Sequence, residues 1–191
     1  MQLIDATEKR LVDEIINRGY QHAAQSFSSI TGQNVTIEAT SIEYKSDHDY
    51  ILEDYNDLVD FIVLQTDIIG SLGGASYLIF SKEESKAVSE MSLAAFGNPD
   101  AIGETAVLKE VDNIISAAMI TELSNAFKIS IYGDVPQLFE VKSIQSLYKH
   151  FNKGTVGYYL LAHTNFTFEG QLISPVFIWK MDDSLMNVLY K

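Results

Sequence analysis

The first thirty residues carry an apolar side chain at every third or fourth position over much of their length, which is the spacing of an amphipathic helix. The apolar stripe consists of Val12, Ile15, Ile16, Ala23, Phe27 and Ile30. Asp5 and Glu8 have the spacing of a capping box at a helix start, and Gly32 is suited to the left-handed conformation that ends a helix. The pattern predicts one long helix between these signals. Its second, polar face carries Glu14, Asn17 and Gln21.

Alternating and short apolar runs follow this helix and predict strands over 34–44, 61–67 and 75–80. The glycine-rich segment 70–74 joins two strands, which favours a hairpin turn over a phosphate-binding loop. Ser81 is typical of a helix N-cap and predicts a helix that ends near Phe96. The acidic run 46–60 is interpreted as a solvated loop or sheet edge, with steering of a basic partner as the alternative.

The second half of the chain repeats this order of elements. Its long helix has an apolar stripe formed by Val107, Leu108, Val111, Ile114, Ile115 and Ala118, while Glu110 and Asn113 fall on a separate face. Strands are predicted over 128–132, 138–143, 157–165 and 171–180, and a short closing helix over 182–190.

An offset of 96 residues places Glu14 on Glu110 and Asn17 on Asn113. This self-similarity predicts an internal duplication, with halves 1–98 and 99–191 and a boundary within 97–103. We therefore predict a single α+β domain over 1–191 that has two pseudo-symmetric halves, a mainly antiparallel sheet and paired long helices.

Composition and charge narrow the classes of partner. The formal net charge of −13 disfavours nucleic acid and anionic membrane surfaces, and it favours a partner that is basic at least locally. The chain has no cysteine, and its start lacks a signal-peptide pattern, so we expect a cytoplasmic protein. The four histidines are scattered without metal-ligand spacing, and we expect no metal site.

The pattern Glu-x-x-Asn gives the two long helices candidate chemistry. Three residues are close to one helical turn, so the carboxylate and the amide project side by side and can hold a cation and a water. Two further copies, Glu53/Asn56 and Glu122/Asn125, lie in an acidic run and near a helix end, and we interpret both as solvated surface. For the pairs that begin at Glu14 and Glu110 the alternative is the same: a solvated polar helix face with no specific function.

The segment 106–114 contains Glu110 and Asn113, and 22 residues separate Asn113 from Pro136. This layout resembles the active-site signature of the CheC/CheX/FliY family, whose members include phosphatases of the chemotaxis response regulator CheY. Two signature copies in about 190 residues resemble CheC more than CheX or FliY. Glu14, Asn17, Gly19, Ala23 and Ala24 resemble the corresponding first helix.

The resemblance implies a CheC-like fold and a function. It implies hydrolysis of the aspartyl phosphate of a CheY-like response regulator, with Asn113 and Asn17 positioning water and Glu110 and Glu14 pairing with the regulator's lysine. It implies no cofactor of the chain's own, because the regulator brings a divalent metal, and it makes the receptor deamidase CheD a possible second partner.

Two positions depart from the family signature. Arg10 and Ala106 stand where the family has Asp or Ser, with Thr105 next to Ala106 as a possible substitute, and Thr40 stands in the first half where the second has Pro136. These departures make the C-terminal pair the stronger candidate site. They also leave open a non-catalytic interaction protein of the flagellar switch or of CheD.

Overall fold

A computed structural model describes residues 5–45, 60–96, 103–151 and 158–189. The helices are α1 (Ala6–Thr31), α2 (Lys82–Phe96), α3 (Glu104–Phe127), α4 (Ile144–Phe151) and α5 (Ser184–Leu189). The strands are β1 (Val35–Lys45), β2 (Phe61–Gly70), β3 (Gly74–Ser81), β4 (Ile131–Gly133), β5 (Gln137–Val141), β6 (Tyr158–Phe168), β7 (Gln171–Ile173) and β8 (Val176–Met181). Nearly all of the acidic run 46–60 and of the predicted boundary 97–103 lies outside the described residues.

The bounds of α1 follow from local chemistry. The Asp5 carboxylate accepts hydrogen bonds from the backbone N–H groups of Thr7 and Glu8, and the Glu8 carboxylate accepts one from the N–H of Asp5. This is the predicted capping box. Gly32 ends the helix at a φ of 69°, which a residue with a side chain rarely adopts.

The strands form one antiparallel sheet whose order is symmetric about its centre. The path runs β1-β6-β8-β3-β2-β4, with β5 also paired to β2 and β7 to β6. β1 of the first half pairs with β6 of the second half, and β4 and β5 of the second half pair with β2 of the first. β3 and β8 meet in the middle. A duplicated chain predicts this order, and the α+β fold class with a mainly antiparallel sheet is confirmed.

Helices cover both faces of the sheet. On one face α1, α2 and α3 pack over the larger part of the core, which includes Leu64, Leu78, Phe177 and Trp179. On the other face α4 packs on a smaller cluster around Phe61 and Tyr77. Burial of these apolar surfaces is the main stabilising term of such a layered fold, at roughly 25 cal/mol per Å².

The two long helices lie side by side and run antiparallel. Arg18 of α1 pairs with Glu122 near the end of α3, whereas Ile30 at the end of α1 lines the same groove as Asn113. At the crossing a Cβ built on Gly19 would collide with Met119 Sδ and would lie 3.2 Å from Met119 Cα. The absence of a side chain at Gly19 therefore permits this close approach.

Three strand and helix predictions differ from the structure. The predicted strand 171–180 is interrupted before Val176, because Pro175 has no N–H for a ladder bond, so β7 and β8 are separate. The strand predicted over 128–132 begins only at Ile131, since α3 extends to Phe127 and ends with Lys128 in the left-handed region. Helix α4 was not predicted at all.

Within the described ranges no helix is both long enough and apolar enough to span a bilayer.

Candidate functional site

The C-terminal pair, Glu110 and Asn113, projects from the exposed side of α3. The residues on either side of the pair anchor the helix to the core, since Leu108, Val111 and Ile114 are buried. This alternation follows from the 3.6-residue period and leaves both polar side chains exposed on one face of the helix. Neither side chain makes a hydrogen bond or an ion pair with any residue that the structure describes, so both are available to a partner.

Pro136 lies in a break between two strands that share one neighbour. β4 pairs with the end of β2 and β5 with its beginning, and the backbone between them leaves the ladder where Pro136 has no N–H to donate. The N–H of Asp134 instead donates to the carbonyl of Asp67 at 2.9 Å. This bond ties the start of the segment 134–136 to β2.

The break and the helix together form an open groove of about 390 Å³. Its lining consists of Ala106, Lys109, Glu110, Asn113, Gly133, Asp134, Val135 and Pro136. The structure thus brings together three residues that were singled out from the sequence. Ala106 also lies here, so the position at which the family has Asp or Ser contributes only a methyl group to the groove.

Asn113 also borders a second, larger groove of about 670 Å³ between α1 and α3. The groove is lined from α1 by His22, Gln25, Ser26, Ser29 and Ile30. Ile30 was predicted to lie on the buried stripe of α1 but is 51% exposed, because the groove opens beside it. Asn113 therefore stands on a ridge that a partner can reach from two sides.

The N-terminal pair, Glu14 and Asn17, is exposed on α1 but differs in its contacts. The Asn17 amide nitrogen donates to the backbone carbonyl of Asp13 at 2.8 Å, and Arg10 approaches Glu14 at 3.9 Å between exposed side chains. An exposed ion pair of this kind contributes little to stability. It does compete for the carboxylate that a partner's lysine would need.

The position equivalent to Pro136 is also different in the first half. Thr40 lies at a bulge in β1, between the registered residues Ala39 and Ser41, and its hydroxyl donates to the carbonyl of His163 at 3.1 Å. Both halves thus have an irregular strand at this point, but only the second has a proline there. The two pairs therefore differ. Glu110 and Asn113 have no partner among the described residues, whereas Glu14 and Asn17 already have contacts on α1.

The interpretation of Glu122 as solvated surface is wrong. Glu122 is buried between the long helices, where its carboxylate accepts from Arg18 Nε at 2.9 Å and lies 2.9 Å from His22 Nδ1. The antiparallel crossing brings α1 onto this part of α3, and no local pattern revealed it. Asn125, the other member of that pair, is exposed as predicted.

Asp112, next to Asn113, is an unpredicted feature of the site. It is fully buried, and its carboxylate accepts from the Thr66 hydroxyl at 2.6 Å and from Ser116 at 3.5 Å. Burial raises the pKa of Asp112 from 3.8 to about 7, and the two hydroxyl donors offset only part of this effect. The sequence contained one indication of this burial: Asp112 directly follows Val111, a residue of the predicted apolar stripe.

Asp112 makes stability depend on pH. Because its pKa is higher in the folded chain than in the unfolded chain, the folded state binds its proton more tightly, and stability is lost as pH rises from about 4 to about 7. Between pH 5 and pH 8 we expect the free energy of unfolding to fall by about 2.5 kcal/mol relative to Asp112→Asn, which does not titrate. Urea unfolding of both proteins at the two pH values measures this difference. A difference that stays constant with pH would contradict the assignment.

The described side chains include no group of three or more His, Asp and Glu residues in a metal-binding arrangement. The C-terminal groove offers the Asn113 amide, the carboxylates of Glu110 and Asp134, the Lys109 ammonium group and an apolar wall around Val135. An amide can both donate to and accept from one water, and a carboxylate can pair with a cation brought by a partner.

A comparison with protein-family models finds no match, and a comparison with curated proteins finds none either. Solved structures do match. FliY of Thermotoga maritima superposes with a TM-score of 0.74 at 16% identity, covering 99% of this chain and 96% of that one. FliM in the FliG–FliM complex of H. pylori gives 0.68 at 12% identity, covering 98% and 100%.

CheX of Desulfovibrio desulfuricans gives a TM-score of 0.56 at 16% identity, covering 88% of this chain and 99% of that one. At such low identity the likeness concerns the fold. The chain therefore has the fold that FliY, FliM and CheX share, which confirms the CheC-like architecture predicted from its sequence.

Proposed function

We propose that this protein hydrolyses the aspartyl phosphate of a CheY-like response regulator, and that the C-terminal groove is its principal site. The observation that carries this proposal is the placement of Glu110 and Asn113 on one exposed helix face beside Pro136, with both polar groups free of partners among the described residues. A polar group without a hydrogen-bond partner costs much free energy only when it is buried. These two exposed side chains can therefore stay unpaired until a partner binds.

The chemistry requires little from the chain itself. An aspartyl phosphate is an activated acyl phosphate, and the regulator's own divalent metal and lysine supply most of the charge stabilisation for phosphoryl transfer. The remaining need is a water held in line with the phosphorus. The Asn113 amide would hold that water through one donor and one acceptor contact, which converts a random encounter into an oriented attack.

Glu110 would dock the regulator. A carboxylate one turn before Asn113 would form a charge-assisted hydrogen bond with the regulator's active-site lysine and set the depth to which α3 enters the site. The net charge of −13 would assist the approach of a locally basic surface. The N-terminal pair would contribute less, because Asn17 and Glu14 already have contacts on α1.

The test is the decay of radiolabelled aspartyl phosphate on a CheY-like regulator, followed with and without catalytic amounts of this protein. Accelerated decay with release of inorganic phosphate supports the proposal. Unchanged decay, with binding to that regulator demonstrated separately, would overturn it.

The likeness to FliM favours a second candidate function, a non-catalytic interaction protein. The matched FliM structure is a complex with FliG, so this fold is used for assembly in that protein. On this reading the chain would bind a flagellar-switch component or CheD without turnover. A stoichiometric complex with unphosphorylated regulator or with such a partner, and no change in phosphate release, would favour it.

A further inference from the structure

A buried polar cluster lies directly behind the C-terminal groove. It joins Asp112 and Ser116 of α3 to Thr66 of β2 and Ser76 of β3, all of them buried. The Thr66 hydroxyl donates to Asp112 at 2.6 Å, and the hydroxyls of Ser76 and Ser116 lie 3.2 Å apart. Polar groups in a core cost free energy compared with apolar ones of the same shape, so the cluster calls for a reason beyond stability.

The first half of the chain shows that the fold does not require polar groups here. At the offset of 96 that aligns the two motif helices, the apolar Ile16 stands at the position of Asp112. Ile16 is buried in the same core. A buried carboxyl at this position of the motif helix is therefore not required for packing, and it occurs only behind the half that has the freer site.

Thr66 connects the two walls of the groove. Its hydroxyl holds Asp112, which is adjacent to Asn113 on α3. Its methyl group lies against the other wall, because a Cβ built on Gly133 would be 3.1 Å from Thr66 Cγ2. The next residue, Asp67, accepts the backbone hydrogen bond that fixes Asp134.

We infer that Asp112 is a positioning residue: by its hydrogen bond to Thr66 it fixes the rotation of α3 against β2, and so the direction in which Asn113 and Glu110 face Pro136. A helix held only by apolar contacts can rotate or slide by fractions of an ångström at little cost. A short hydrogen bond between a buried carboxyl and a strand removes that freedom, which matters where a water must be aligned to well under 1 Å. This inference rests on the proposed function.

Three variants test the inference: Asp112→Leu, Asp112→Asn and Thr66→Val. Asp112→Leu copies the apolar character of Ile16 and should fold, which thermal unfolding checks. Its turnover number should fall about tenfold while its affinity for the regulator stays within about twofold, because orientation is lost and docking is kept. Thr66→Val should show the same split to a smaller extent. Asp112→Asn keeps a hydrogen-bonding oxygen for Thr66 and should restore most of the turnover.

A second readout separates this inference from the proposed function. In isotope-labelled protein, the side-chain amide signals of Asn113 should shift in Asp112→Leu and Thr66→Val, and those of Asn17 and Asn125 should not. If the wild-type protein fails to accelerate phosphate release, the proposed function fails, and these signals alone decide the inference. Asn113 signals that stay in place, or an Asp112→Leu variant with parental turnover, would overturn it. So would equal losses of turnover in the Leu and Asn variants.

Discussion

Replacing Asn113 by alanine is expected to lower the accelerated rate of aspartyl-phosphate hydrolysis by about 10²-fold. The amide is the group that would orient the attacking water, and its removal leaves the regulator's metal and lysine to act on an unaligned water. Affinity for the regulator should change little, since Glu110 and the groove wall remain. Single-turnover release of phosphate at saturating protein, together with a separate binding titration, measures the two effects.

Asn125→Ala is the matched control for this variant. It makes the same change on an exposed residue of the same helix, in the Glu-x-x-Asn copy that contributes no free carboxylate because Glu122 is paired between the helices. Its turnover should equal that of the wild-type protein. Equal losses in both variants would indicate a general effect on α3, and no loss in Asn113→Ala would remove the residue from the mechanism.

Glu110→Lys is expected to weaken binding of the regulator by on the order of 10²-fold, because it places a cation where the regulator's lysine would dock and like charges at a contact cost several kcal/mol. The exposed carboxylate has no partner within the described structure to lose, so the fold should be unaffected. The dissociation constant from a titration at low salt measures the effect. The loss should shrink as salt is added, because screening weakens the repulsion.

Glu38→Lys controls for the change in net charge. Glu38 is exposed on β1, at the opposite edge of the sheet from β4, and its replacement alters the net charge of −13 by the same two units. If long-range attraction alone guided the regulator, both variants would weaken binding equally. A loss confined to Glu110→Lys assigns the contact to the C-terminal groove.

Features that depend on neighbours in sequence could be predicted from the chain. The capping box at Asp5, the glycine cap at Gly32 and the buried stripe of α1 each involve residues within one or two turns. The repeat of the two motifs was also visible, and with it the pairing of two long helices. The role of Pro136 beside Asn113 came from the family resemblance, since 22 residues separate the two.

Features created by contacts between distant residues could not be predicted. Glu122 reads as a surface residue until α1 crosses α3 and brings Arg18 and His22 onto it. Asp112 reads as part of a polar motif until the sheet places Thr66, 46 residues away, against it. In both cases the tertiary partner, and not the local pattern, decides the environment.

Other misses had signals that were present in the sequence. Ile144, Leu147 and Phe151 recur at helical spacing and are the buried residues of α4, but the segment is only two turns long. Pro175 within an apolar run indicated a break between two strands. Short elements bury few residues, so their periodicity is a weak signal beside that of a long helix.

The measurement that tests the central claim most directly compares aspartyl-phosphate decay on a CheY-like regulator in the presence of wild-type protein, Asn17→Ala, Asn113→Ala and the double variant. We predict accelerated decay with the wild-type protein, most of that acceleration retained in Asn17→Ala, and nearly all of it lost in Asn113→Ala and in the double variant. Decay that the wild-type protein does not accelerate would contradict the phosphatase function. Acceleration that survives in Asn113→Ala and disappears in Asn17→Ala would contradict the assignment of the C-terminal groove.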